Sequence, residues 1–296
     1  MEGAVADAAA LLSSTDPQPT AGRMQWGDLY NRPKPQASLR VAYGPLPQQF
    51  ADLWLPEGLG PHPVVVMIHG GCWTKAIATL EIMNWAAEDL RRRGLAVWNI
   101  EYRGVDEPGG GYPGAYQDVA SAIDALETVR APDRSLPALD LGRIIALGHS
   151  AGGHLALWAG GRRKIPAQSP LYRARPTPIA AVVNLAGLAD LERNLDTACG
   201  PDPVAAMVGA PTAERPDPYL DTSPTAMLPL GVPQYVIYGA DDETVRPEIG
   251  DAYARAAAAA GDPVALRHPP GGHVEAIAPG TAAWEATAAL VETLVR

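Results

Sequence analysis

Two short runs near the start of the chain, Leu39–Tyr43 and Phe50–Leu55, alternate apolar and polar residues. They predict an antiparallel pair at a sheet edge. The runs that follow are mostly apolar and do not alternate: Val64–Ile68, Leu95–Ile100, Ile144–Leu147, Ile179–Leu185, Gln234–Tyr238 and, ending in Arg267 and His268, Val264–His268. Continuous runs of this length predict parallel strands buried on both faces. Helical patterns separate them. One spans Thr79–Arg93, and a second places Tyr116, Val119, Ala120, Ile123 and Leu126 on one stripe. Ala151–Gly160 and Ile249–Ala260 are alanine-rich, and a last helix carries Trp284, Ala288, Val291 and Val295 on one face. Strand and helix in alternation predict an α/β architecture, a mostly parallel central sheet covered by helices on both faces. Residues 187–228 are proline-rich and aperiodic, and are expected to form a small lid insertion over the strand ends. Residues 1–38 read as an N-terminal arm with one short helix, which Trp26 and Tyr30 could pin to the body. Residues 39–296 read as one domain.

With 296 residues, 47% of them apolar, the chain can bury a large core. A net charge of −10 argues against nucleic acid or an anionic membrane as partner. No apolar run is long enough to span a bilayer. Met1–Leu12 carries Glu2 and Asp7 and no basic segment, so it does not read as a signal peptide, and a cytoplasmic location is expected. Two cysteines, Cys72 and Cys199, are too few for a disulfide scaffold or a cysteine zinc site. Both fall at the same end of the predicted sheet, where a disulfide would tie lid to loop and require an oxidising compartment. Free thiols are the expectation for a cytoplasmic chain. His154 has no companion ligands, and Gly109-Gly110-Gly111 lacks the lysine of a phosphate loop, so neither metal nor cofactor is expected.

Three loops at predicted strand ends carry the chemistry, where ligands of such sheets bind. Gly148-His149-Ser150-Ala151-Gly152 joins a buried strand to a helix. The glycines suit a sharp turn that exposes Ser150 at the helix N-terminus. A plain strand-to-helix turn could use the same glycines, but the other two loops supply what a serine nucleophile lacks. His273 follows the last strand and can take the hydroxyl proton, and Asp241 or Asp242 can orient its imidazole. His69-Gly70-Gly71-Cys72-Trp73 follows the first parallel strand. Backbone amides there, at Gly70, Gly71 and Cys72, together with Ala151, can meet a developing oxyanion. Trp73 and His149 stand beside these groups as substrate-binding candidates, with core packing the competing role.

These residues together resemble the α/β-hydrolase superfamily, in the branch of hormone-sensitive-lipase-like carboxylesterases and kynurenine formamidases. The resemblance runs from about Leu39 to the C-terminus and implies a Ser150–His273–Asp242 triad. The family pattern G-x-x-D-x-x-V falls on Gly239 to Val245 and selects Asp242 over Asp241. It implies cleavage of a small-molecule carboxylic ester through an acyl-enzyme. Cys72 stands where the esterase subgroup usually has a third glycine, and H-G-G-x-W lies closer to the formamidases. Arylformamidase is therefore the main alternative. A prolyl-oligopeptidase-like peptidase and a non-catalytic ligand-binding relative are weaker ones.

Overall fold

The computed structural model describes residues 23–129, 138–194 and 199–296. The readings made for the first 22 residues, the lack of a signal-peptide pattern in Met1–Leu12 among them, lie outside the described residues. Eight strands form one sheet: β1 (Leu39–Ala42), β2 (Phe50–Trp54), β3 (His62–Ile68), β4 (Ala96–Ile100), β5 (Leu139–His149), β6 (Ala181–Leu185), β7 (Gln234–Ile237) and β8 (Val264–Arg267). Their order is β1-β2-β4-β3-β5-β6-β7-β8. β1 and β2 are antiparallel to their neighbours, and β3 through β8 run parallel to one another. The alternating segments thus lie at one edge and the continuous apolar runs of β3 to β7 in the middle, as their patterns predict. β8 departs from that expectation: it is the opposite edge strand and is only partly buried, in keeping with Arg267 at its end.

Both faces of the sheet are covered because successive side chains of a strand point to opposite sides. From β3, Val64, Val66 and Ile68 enter one core, and Val65 and Met67 enter the other. The first core packs under α3 (Gly114–Asp124), α4 (Ala151–Gly160) and α6 (Pro247–Ala259). The second packs under α2 (Asn84–Arg92) and α7 (Ala282–Leu294), joined by Leu29 of the five-residue helix α1 (Trp26–Tyr30).

The insertion contains an element that its prolines hid. α5 (Pro201–Val208) has proline at its first turn and glycine at each end. Proline there has no intrahelical bond to lose, so the residues that looked like breakers are the helix's own boundary. β5 also begins earlier than its apolar run, at Leu139, and the register against β3 shifts between Pro63 and Val64. The free-thiol expectation is overturned. Cys72 and Cys199 form a disulfide across 127 residues of sequence, with Cα atoms 5.2 Å apart. The turn before α5 folds back over the loop that follows β3 and brings the two sulfurs together.

A cross-link closing so long a loop restricts the unfolded chain strongly, and native disulfides of this kind contribute about 2–4 kcal/mol. Unfolded without reductant, the protein should show no titratable thiol, and Cys199→Ser should lower Tm by several degrees. Two free thiols under those conditions would contradict the pairing.

Candidate active site

Ser150 sits between β5 and α4 at φ 55° and ψ −124°, a conformation that costs a non-glycine residue about 1–3 kcal/mol. Close packing holds it there. A Cβ at Gly148 would lie 2.0 Å from the Gly152 carbonyl oxygen, and one at Gly152 would lie 2.1 Å from the Ile68 carbonyl oxygen. Only glycine lets these backbones approach so closely. The Ser150 amide donates to the Leu185 carbonyl at 2.8 Å, which ties the turn to the end of β6.

The loop after β8 carries His273. Its Nδ1–H donates to Asp242 Oδ2 at 2.7 Å. Asp242 is held by the amides of Thr244 and Val245, which donate to Oδ1 at 2.8 and 2.9 Å. Of the two neighbouring carboxylates it is Asp242 that meets the imidazole, whereas Asp241 is exposed. Ser150, Asp242 and His273 are 5%, 3% and 8% exposed. His149 couples the histidine loop to the serine turn: its Nε2 lies 3.0 Å from the His273 carbonyl oxygen, and the two rings are 4.4 Å apart.

The glycine loop after β3 closes on the same point. A Cβ at Gly70 would meet Ser150 Cβ and the His149 carbonyl oxygen, each at 2.9 Å. Gly71, Cys72 and Trp73 all have positive φ, at 98°, 52° and 54°. Ala151 opens α4, so its amide has no acceptor within the helix. Gly70 and Ala151 thus lie against Ser150, whereas Gly71, one residue on, packs against Ala78, and Cys72 follows it in the same loop.

Trp73 and His149, the two substrate-binding candidates, are placed otherwise. They are 0% and 1% exposed, so neither presents surface to a ligand in this structure. The Trp73 indole N–H donates to the Ala151 carbonyl at 3.1 Å, and its ring meets His154 edge-on. It braces the elbow from inside the core. Burial and the adjacent His273 push the His149 imidazole well below its ordinary pKa. Neutral His149 donates through Nε2, and its bare Nδ1 has no partner among the described residues.

Glu101, at the end of β4, was legible only as a strand end, yet it anchors the glycine loop. Its Oε1 lies 2.8 Å from His69 Nε2, and its Oε2 accepts from Lys75 Nζ at 3.0 Å and the Leu80 amide at 3.2 Å. Burial pushes the Glu101 carboxyl up, but His69 and Lys75 outweigh it and hold the group at about 2. His69 Nδ1 reaches the Gly70 carbonyl at 2.8 Å, and the Tyr102 hydroxyl donates to the His69 carbonyl at 2.9 Å. Residues from two strand ends therefore fix the loop's path. The only signal in the sequence was an acid closing a buried strand beside the one that carries the glycines. No cluster of histidine, cysteine and acid fit to hold a metal occurs among the described residues. No helix among them is long and apolar enough to cross a membrane.

Sheet order, the serine elbow after β5, and the acid and histidine loops after β7 and β8 define the class: this is the α/β-hydrolase fold. Within it the chain belongs to the family described as BD-FAE, whose model matches residues 51–255. That span holds Ser150 and Asp242 and ends before His273. The chain is 30% identical over 220 residues to Esterase LipC of Mycobacterium tuberculosis. The match covers 69% of this chain and 50% of that protein, so the chain spans about half the length of that relative. Among solved structures, Esterase B from Lactobacillus rhamnosis, seen with a tributyrin phosphonate, superposes with a TM-score of 0.71 at 19% identity. That comparison covers 91% of this chain and 89% of the other. A bifunctional GH43-CE protein of Bacteroides eggerthii superposes with a TM-score of 0.68 at 23% identity, over 87% of this chain and 35% of that one. Identities this low speak for the fold alone.

The buried histidines set how stability depends on pH. Burial lowers the His154 pKa from 6.5 to about 4, although its Nε2 bonds the Thr222 carbonyl. Between those values the unfolded chain binds a proton that the folded chain refuses. Stability is therefore complete above pH 6.5 and falls toward pH 4, by about 3 kcal/mol from this side chain. His149 acts in the same direction. Urea midpoints should drop between pH 7 and 5, and drop less in His154→Phe. Equal midpoints for the wild type at both pH values would contradict the assignment.

Proposed function

We propose that the chain is a serine hydrolase of the carboxylesterase class, cleaving a small-molecule ester through an acyl-enzyme on a Ser150–His273–Asp242 triad. The observation that carries the reading is the strained Ser150 turn whose neighbour His149 contacts His273, itself paired with Asp242 at 2.7 Å. The likeness to Esterase LipC supports the ester specificity.

In this reading Ser150 Oγ attacks the ester carbonyl while His273 Nε2 takes its proton. Asp242 holds the imidazole in the tautomer that leaves Nε2 free, and stabilises the imidazolium once formed. The tetrahedral oxyanion is met by main-chain amides drawn from Gly70, Gly71, Cys72 and Ala151. His273 then returns the proton to the departing alcohol. Water, deprotonated by the same imidazole, releases the acid from Ser150. Trp73 and His149 act from below, holding the elbow and the histidine loop. The Cys72–Cys199 bond supports an oxidising compartment in place of the cytoplasm, where thiols stay reduced.

Two experiments test the reading. On a panel of p-nitrophenyl esters of increasing acyl length, N-formylkynurenine and a proline-peptide amide, turnover is expected on the short esters. Turnover on N-formylkynurenine alone would assign an arylformamidase, and turnover on none would support a non-catalytic binding role. Asp242→Asn should lower kcat on the order of 10⁴-fold, and Asp241→Asn only a few-fold. The reverse ranking would move the acid to Asp241.

A further inference from the structure

The segment before β1 lies across the histidine loop. Main-chain and side-chain contacts secure it at several points. The Arg32 guanidinium donates to the Pro279 carbonyl at 2.7 Å, and the Trp85 indole donates to the Pro33 carbonyl at 3.0 Å. Leu29 is fully buried in the core beneath. Arg23 pairs with Glu243, the residue after Asp242, at 2.8 Å. Glu275, a buried carboxylate two residues beyond His273, spends both oxygens on main-chain amides. Oε2 accepts from Gly272 at 3.1 Å, and Oε1 accepts from Met24 at 2.6 Å. The side chain therefore closes the histidine loop on itself and clasps it to the strap.

Trp26 stands over the result. Its ring lies edge-on to His273, centroids 6.4 Å apart at 75°, and edge-on to His149 at 6.2 Å and 67°. These are favourable separations for aromatic pairs. One hydrogen bond from Nδ1 to Asp242 leaves the imidazole free to turn about that bond. Contacts from neighbouring rings restrict that freedom, and they are supplied by His149 and Trp26.

We propose that residues 23–33 form a positioning strap for the base of the reaction, with Trp26 as its contact on the imidazole and Glu275 as its clasp. The proposal rests on His273 being that base. Trp26 is a positioning residue: it acts through His273 and is outside the residues that match the family.

The test uses the full chain with p-nitrophenyl acetate, comparing wild type, Trp26→Ala, Trp26→Phe, Glu275→Gln and Asp242→Asn. Trp26→Ala should lower kcat about tenfold, the equivalent of one aromatic pair, with KM within about twofold. Trp26→Phe should restore most of the loss. Glu275→Gln keeps the shape but turns an NH₂ group against one of the two amides, and should lower kcat several-fold with KM unchanged. The downfield proton resonance of His273 Nδ1–H should broaden in Trp26→Ala and sharpen again in Trp26→Phe. If Trp26→Ala does not fold, Trp26→Leu, which also removes the aromatic ring, and Glu275→Gln carry the decision by the same kcat and proton readouts. Wild-type kcat with an unchanged resonance in Glu275→Gln and in the folded variant that lacks the Trp26 ring, whatever their Tm, overturns the strap. Unchanged kcat in Asp242→Asn would instead show that the triad reading had failed, a result separate from the strap's own.

Discussion

The turn at Ser150 is the constraint that the rest of the molecule serves. A residue with a side chain would not choose φ 55° and ψ −124°, and it stays there because nothing around it can give. β5 feeds it from the middle of the sheet, between β3 and β6. The helix behind it is pressed so close to the end of β3 that the turn's glycines admit no side chain. Relaxing the serine would require moving two strand ends and a helix, each buried in a core. The strain is small beside the packing that opposes its release, so the hydroxyl is presented in one place.

The other two loops have no such scaffold and are fixed by polar groups instead. The glycine loop hangs from the Glu101 carboxylate through His69 and Lys75, and is tied from outside by the Cys72–Cys199 bond. The histidine loop is held through Asp242, His149 and Glu275. In both, a buried acid helps to hold a loop that contains a glycine pair. That division follows from chain geometry. A strand-to-helix turn inherits rigidity from its flanking elements, whereas loops that leave a strand and wander must be anchored side chain by side chain.

Much of this was legible in the sequence, for physical reasons that also explain what was not. The strands announced themselves because burial on both faces leaves continuous apolar runs. The elbow did so because its sterics demand two glycines at fixed spacing from Ser150. His273 and the Asp241–Asp242 pair could be placed because each follows a strand in the order of the chain, and the family pattern singled out Asp242 of the pair. α5 stayed hidden, since Pro201 reads locally as a breaker and only its position in the first turn makes it a start. The Cys72–Cys199 pairing, the Met24–Glu275 bond and the Glu101–His69 contact join residues far apart in sequence, and no local pattern marks them. Trp73 and His149 misled for a related cause. Adjacency to a catalytic loop shows that a side chain is near the site, but not which side of the backbone it occupies.

The central claim is that this geometry makes Ser150, and no other hydroxyl, a nucleophile. A fluorophosphonate reacts with serines activated in this way, and mapping its adduct on the native protein by mass spectrometry tests the claim directly. The expected result is a single adduct per chain, located on Ser150 and absent when the protein is unfolded before labelling. An unlabelled Ser150 in protein that still turns over ester, or an adduct at another residue, would contradict it.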